Sequence, residues 1–123
     1  MSTATQPRPS PRRIARVLFL LAAAVVTVLS LLPQQDLPKV GVSDKIEHLL
    51  SYFVLAILGS FAVRERRSLL YLFVLLCAMG GVIELLQAFS PGRSPDIVDA
   101  LVDGAGAAAG VLIGAAFAIV RRR

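Results

Sequence analysis

The chain has 123 residues, of which 56% are hydrophobic, and it carries a formal net charge of +5. A soluble domain of this length would spread more charge along its sequence, whereas here the charged residues are bunched between long uncharged runs. This distribution is typical of a membrane protein. Since the basic residues flank apolar segments, they indicate membrane topology, and we expect no nucleic-acid partner. The single Cys77 lies within an apolar run and predicts a packing role without a disulfide framework.

The sequence starts with a polar, proline-rich stretch, residues 1–13, which we expect to be a disordered basic cytoplasmic tail. The remainder, residues 14–123, is predicted to be one transmembrane domain. Its first helix covers residues 14–32, and at about 1.5 Å per residue this run crosses a hydrocarbon core. The alternative is a cleaved signal peptide. We favour an uncleaved helix, because the run is longer than a typical signal-peptide core and no clear small-x-small cleavage site follows it.

A loop and a second helix follow. Residues 34–42 contain a proline and a glycine, which favour a loop. A helix is then predicted over residues 44–63, with either Ser43 or Asp44 as its N-cap. Asp44 and Glu47 have the spacing of a capping box, which supports a helix start at this point.

A third and a fourth helix are predicted over residues 68–89 and 95–120. The basic run at 64–67 separates the second helix from the third. Ser94 is the predicted N-cap of the fourth helix, since Pro95 then takes the first helical position. The predicted fold class is therefore all-α: a polytopic membrane protein with four transmembrane helices in a compact bundle.

The charges predict how this bundle is oriented. Ten of the thirteen lysines and arginines fall at one end of a four-crossing bundle, and only Lys39, Lys45 and Arg93 fall at the other. The positive-inside rule then places both termini of this multi-pass protein in the cytoplasm, the N-in/C-in topology. The acids show the opposite distribution, since Glu65 is the only one predicted on the cytoplasmic side.

Polar side chains from three helices are predicted to meet in one layer, about 5–10 Å below the outer surface. An ionisable group inside a membrane is costly, about 2.5–3.5 kcal/mol at the centre and less near the interface, and such groups are functional candidates by default. His48, Glu84 and Asp99 are therefore the candidate catalytic or metal-ligating residues. The predicted ligand-binding residues are Asp44, Lys45, His48, Tyr52, Glu84, Gln87, Arg93, Asp99 and Asp103.

Glycines predict where the helices approach closely. The acidic stripe of the fourth helix continues along the same face as Gly106, Gly110 and Gly114, a GxxxG repeat that favours helix packing. This face should point into the bundle, although the sequence leaves open whether the repeat packs internally or against another copy. Gly80 and Gly81 favour a second close approach in the middle of the third helix.

Several of the predicted ligand-binding residues also have a purely structural interpretation. Asp44 would stabilise the dipole of a helix that it begins. Lys45 and Arg93 would be interfacial cations that pair with acids or extend towards the surface. Tyr52 would be an interfacial aromatic residue, and Gln87 would form a hydrogen bond between helices.

Three stretches of the sequence resemble the VanZ-like family of small bacterial membrane proteins. The matching residues are Asp44, Lys45, His48 and Tyr52, then Glu84, Gln87 and Arg93, then Asp99 with Gly106 and Gly110. The resemblance covers about residues 38–115. The chain departs from the family at Asp103, near which the family usually has an Asn-x-x-Gly. The resemblance implies a fold, a layer of polar residues and a location in the bacterial inner membrane, and it names no reaction. The founding member of the family is associated with resistance to a glycopeptide antibiotic, which suggests a link to glycopeptide-antibiotic response but does not imply that this chain confers resistance.

The sequence supports three hypotheses about function. The first is a binding protein for a cell-envelope lipid or lipid-linked ligand, since Lys45 and Arg93 are both able to bind phosphate. The second is an uncharacterised membrane enzyme that uses His48, Glu84 and Asp99 as metal ligands or as acid and base. The third is a structural or accessory membrane subunit. Beyond the lipid bilayer itself, the sequence does not identify a cofactor, a metal or an oligomeric state.

Overall fold

Four long apolar runs form four α-helices in the part of the chain that the structure, a computed structural model, describes: residues 6–121. Within this range no strand is formed, and each helix is long and apolar enough to cross a membrane. The predicted all-α membrane fold is therefore confirmed. Residues 1–5 of the expected tail and the last two arginines lie outside the described residues. The helices are α1 at Pro11–Leu31, α2 at Asp44–Ala62, α3 at Arg66–Gln87 and α4 at Ile97–Arg121, with a short 3₁₀ turn at Gln34–Asp36.

Helix α1 begins earlier than predicted. It starts at Pro11, whereas the sequence predicted a start at residue 14. The physical reason is a local cap: the Ser10 hydroxyl accepts a hydrogen bond from the Arg13 N–H at 3.2 Å, and a proline occupies the first turn. Residues 11–13 therefore belong to the helix, which corrects the predicted limit of the tail.

Helix α4 begins later than predicted, at Ile97, with its first turn capped by Asp96. The Asp96 carboxylate accepts a hydrogen bond from the Val98 N–H at 2.9 Å. The prediction of Ser94 as the N-cap was wrong, because the helix starts further along the chain and the Asp96 side chain caps its first turn. For α2 the cap is Ser43, whose hydroxyl accepts from the Ile46 N–H at 3.4 Å.

Helix α3 is displaced by two residues towards the N-terminus from the predicted span of 68–89, since it covers Arg66–Gln87. Its last turn tightens, with the Ala88 and Phe89 N–H groups donating to carbonyls three residues earlier. The chain then turns back through Gly92, which has a positive φ of 75° that a side chain would disfavour. Helix α2 ends at Ala62, one residue before the predicted end.

Contacts between helix ends show that consecutive helices run antiparallel. Near the start of α1, the Arg16 side chain donates to the Ala62 carbonyl at the end of α2, at 3.1 Å. At the opposite end, Gln87 at the end of α3 donates to the Ser30 carbonyl in α1, at 2.9 Å. The bundle therefore has two unlike ends: an arginine-rich end, where α1 and α3 begin, and an end where α2 and α4 begin, which we call the site end.

The closest helix contact is between α2 and α4. Helix α2 packs on a stripe of small residues along α4: Gly106, Gly110 and Gly114. A Cβ on Gly106 would collide with the Leu49 carbonyl oxygen, and one on Gly110 would lie 2.6 Å from the Ala56 Cβ. A Cβ on Gly114 would collide with the Ser60 side chain. The stripe thus packs inside the bundle against α2.

The interior of the bundle is small and lies where α2, α3 and α4 meet. Its buried cluster consists of Tyr52, Leu55, Ala56, Leu72, Leu76 and Ala107. Helix α1 packs on the outside of this cluster through partly buried residues such as Phe19. Many large apolar side chains remain exposed on the outer faces, as expected for a protein whose solvent is lipid.

Candidate functional site

The only histidine of the chain is bracketed by two carboxylates of α4 at the site end. The Nδ1 atom of His48 lies 2.8 Å from Asp103 Oδ1, and its Nε2 atom lies 3.8 Å from Asp99 Oδ2. Asp99 and Asp103 are one helical turn apart on the same face, so the imidazole ring of α2 fits between them. All three side chains are largely excluded from solvent, with exposed fractions of 13%, 14% and 1% for His48, Asp99 and Asp103.

Lys45 forms two ion pairs above the histidine. Its Nζ lies 2.8 Å from Asp99 Oδ1 and 3.0 Å from Asp96 Oδ2, and the lysine side chain is about half exposed. The hydrogen bond from the Val98 N–H and the nearby Lys45 ammonium together hold the pKa of the Asp96 carboxyl below its usual range. Lys45 therefore offsets part of the negative charge at the start of α4.

Glu84 joins α3 to the start of α4. This side chain is 5% exposed, and its Oε2 accepts a hydrogen bond from the Asp96 backbone N–H at 2.7 Å. Its other oxygen, Oε1, is buried and has no hydrogen-bond partner among residues 6–121. A buried carboxylate oxygen without a hydrogen-bond partner is energetically costly. This oxygen is therefore a candidate contact for a group that binds in the site.

Asp103 is accommodated by a glycine on α3. A Cβ on Gly80 would lie 2.8 Å from Asp103 Oδ2 and 3.1 Å from its Cβ, whereas a Cβ on Gly81 would meet nothing within 4 Å. Gly80 thus makes the room in which the buried aspartate reaches His48. The sequence marked both glycines as points of close approach, but it did not indicate that one of them serves the polar layer.

These groups together form a site with excess negative charge. Four carboxylates, those of Glu84, Asp96, Asp99 and Asp103, face one lysine and one histidine. One ligand atom each from His48, Glu84 and Asp99 lies within 4.8 Å of the other two. A neutral imidazole and two carboxylates are a donor set suited to a divalent metal ion, and they are also suited to proton exchange.

Arg93 and Gln87 lie against the C-terminal end of α1. Arg93 donates from Nε to the Leu32 carbonyl and from Nη2 to the Leu29 carbonyl, both at 3.0 Å, and Gln87 binds the Ser30 carbonyl. The last carbonyls of a helix have no partner within the helix, and a cation at this end is favourable. Both side chains therefore stabilise the end of α1 in this structure, and their predicted roles in ligand binding remain predictions.

Two other predicted residues lie at different depths of α2. Asp44 is at the exposed first turn of the helix. Tyr52 is only 2% exposed, and its hydroxyl oxygen is buried with no hydrogen-bond partner in the described part of the chain. Tyr52 therefore belongs to the bundle interior, and the structure does not favour its interpretation as an interfacial aromatic residue.

A cavity of about 370 Å³ lies between α1, the connection after it and the first turns of α2. Its lining includes apolar residues, among them Val26, Leu29, Leu37 and Leu50. The polar lining residues are Ser30, Asp44, Glu47, His48, Ser51, Tyr52 and Arg93. His48 therefore belongs both to the charged layer and to the wall of the cavity. Of the polar lining residues, the sequence predicted Asp44, His48, Tyr52 and Arg93 as site residues. It did not indicate the cavity, because most of the apolar lining comes from α1 and from the loop after it.

Comparison with known proteins places this architecture in context. The model of the VanZ/LLP1 family matches residues 7–119, which is nearly the whole chain. No curated protein and no solved structure matches the chain.

Proposed function

The chain belongs to the VanZ/LLP1 family, and on that premise we propose that it is a bacterial inner-membrane protein that binds a cell-envelope lipid or lipid-linked ligand. The observation that carries this proposal is the cavity of about 370 Å³ beside His48, which is lined by both apolar and polar residues. Cavities of this size are typical of small-molecule sites. An amphiphile matches such a lining, because its acyl part would lie against Leu29 and Leu50 while its head group lies near His48.

The charges of the cavity favour a particular head group. Lys45 is held by two aspartates, and two N–H groups of Arg93 are bound to carbonyls of α1. Since both cations already have partners in the described structure, this proposal does not depend on the phosphate binding that the sequence suggested for them. Asp44 and Glu47 are among the polar lining residues. A head group with hydroxyl or ammonium donors matches these acceptors, as in a glycosylated lipid or an aminophospholipid.

The orientation predicted from the arginines would place the cavity in the outer leaflet of the inner membrane. A ligand entering there would come from the pool of lipids and lipid-linked precursors from which the envelope is built. A role in the response to glycopeptide antibiotics, which the family resemblance suggests, would follow from binding such a precursor.

Native mass spectrometry of the full chain released from mild detergent tests the proposal. We expect the wild-type protein to retain an envelope lipid and Leu50→Trp to lose it, because the indole would fill part of the cavity. The matched control is Leu112→Trp, since Leu112 is an exposed leucine of α4 outside the cavity wall. Headgroup fragments in the spectrum separate a glycosylated lipid from an aminophospholipid. Equal lipid retention by Leu50→Trp and Leu112→Trp, or no lipid on the wild type, would overturn the proposal.

A further inference from the structure

The three candidate ligand residues of the charged layer are each oriented by a separate partner. His48 uses Nδ1 for Asp103 Oδ1, at 2.8 Å. A carboxylate at this distance favours the tautomer in which Nδ1 carries the hydrogen and donates it, which leaves the Nε2 lone pair free. A histidine held in this way by a carboxylate is the arrangement that commonly supports a metal-binding imidazole.

Each of the two carboxylates likewise has one oxygen that is held by a hydrogen bond and one that is not. Asp99 uses Oδ1 for Lys45, at 2.8 Å, and its Oδ2 lies 3.8 Å from His48 Nε2. Glu84 uses Oε2 for the Asp96 N–H, and its Oε1 is the buried atom for which residues 6–121 supply no partner. A cation beside Glu84 would give that oxygen the partner that it lacks among the described residues.

We propose that His48 Nε2, Glu84 Oε1 and Asp99 Oδ2 bind a divalent transition-metal ion such as Zn²⁺ or Mn²⁺. One ligand atom of each residue already lies within 4.8 Å of the others. Ligand atoms about 2.0–2.2 Å from a zinc ion lie about 3.5 Å from one another, so only a small closure of the side chains is needed. A neutral imidazole suits Zn²⁺ and carboxylate oxygens suit Mn²⁺, so this mixed donor set is compatible with either ion.

The charge and position of the layer support the same ion. The four carboxylates exceed the charge of Lys45 and His48, and a divalent cation would offset this excess beside Glu84 and Asp99, which are largely excluded from solvent. Three protein ligands leave a further coordination position open. Since His48 also lines the cavity of about 370 Å³, an open position there would be available to a donor atom of a bound ligand.

Direct metal binding tests this site without depending on the lipid proposal. The full chain, purified in a defined detergent without added lipid and stripped with a chelator, is titrated with Zn²⁺, Mn²⁺ and, as a spectroscopic probe, Co²⁺. We expect one ion per chain in the wild type, with Co²⁺ absorption that reports nitrogen and oxygen ligands. Glu84→Gln and Asp99→Asn should each weaken binding at least about 10-fold. Asp103→Asn should weaken it about 10- to 100-fold through the orientation of His48.

The control is Glu65→Gln, which removes an exposed carboxylate at the arginine-rich end and should bind the ion as the wild type does. Circular dichroism establishes that each variant is folded, and Asp99→Asn carries the test if Glu84→Gln does not fold. Absence of binding by the wild type, or equal affinity in Asp99→Asn and Glu65→Gln, would overturn the metal site. A wild type that retains lipid without metal would refute this inference alone, and one that retains metal without lipid would refute only the proposed function.

Discussion

At the scale of single residues, Asp103 is the point where three helices meet. It belongs to α4, is 1% exposed, binds His48 of α2 and lies against Gly80 of α3. A buried acid is tolerated only where its oxygens have partners and where the surrounding chain leaves room. Gly80 leaves this room because it has no side chain, so one glycine sets the position of the buried aspartate.

Replacement of this glycine gives a sharp test. In Gly80→Ala, the new Cβ would displace Asp103, which cannot rotate away without losing His48. We expect a loss of about 1–3 kcal/mol in the free energy of unfolding. Gly81→Ala is the matched control, because a Cβ there meets nothing within 4 Å and alanine favours the helix. Thermal or denaturant unfolding in detergent measures both variants, and equal stability of the two would contradict this account of Asp103.

At the scale of elements, the face that α4 turns to α2 combines two functions. Its first turns carry Asp99 and Asp103, and the turns below them carry the glycine stripe. The glycines let the two backbones approach closely, and this proximity is what brings a short aspartate side chain to 2.8 Å from His48. The packing of α4 on α2 therefore sets the geometry of the charged layer.

Alanine in the glycine stripe should separate these two helices. In Gly110→Ala, the Cβ would lie 2.6 Å from both the Ala56 Cβ and the Phe53 carbonyl oxygen, and a backbone atom cannot move away cheaply. We expect a loss of at least about 1–3 kcal/mol in the free energy of unfolding. Gly104→Ala should be neutral or stabilising by about 0.5–1 kcal/mol, because its Cβ meets only the Cys77 sulfur at an ordinary 3.7 Å. If Gly110→Ala proved as stable as Gly104→Ala, the close approach of α2 and α4 would be in error.

The elements also show where prediction from the sequence succeeds and where it ends. Hydrophobic runs predicted four membrane helices, and helical spacing placed Asp99 and Asp103 on one face, because both depend on local periodicity. The start of α4 was misplaced: Asp96 caps the helix with its own side chain, and its N–H is bound by Glu84, twelve residues earlier, a contact that no local pattern indicates. Likewise, no local pattern indicates that Arg93 binds carbonyls of α1. Caps and partners of this kind are decided by tertiary contacts.

At the scale of the whole molecule, the two ends differ in charge. The arginine-rich end carries Arg16 and the connection at residues 63–65, which lies between α2 and α3. The site end carries the acids of the charged layer and the cavity beside α1. Acids contribute little to membrane orientation. Helix capping accounts for Asp96, and the proposed cation site would account for the buried carboxylates near His48.

The predicted orientation follows from the arginines and decides from which side a ligand reaches the site. Cysteine labelling of intact cells tests it in a Cys77→Ser background, since Cys77 is the only native cysteine. We expect a membrane-impermeant maleimide to label Gln35→Cys in the connection after α1, and to label Glu65→Cys only after the cells are opened. Labelling of both variants in opened cells establishes that each cysteine is reactive. The reverse pattern in intact cells would place the cavity and the charged layer on the cytoplasmic side, and the ligand would then have to come from the inner leaflet.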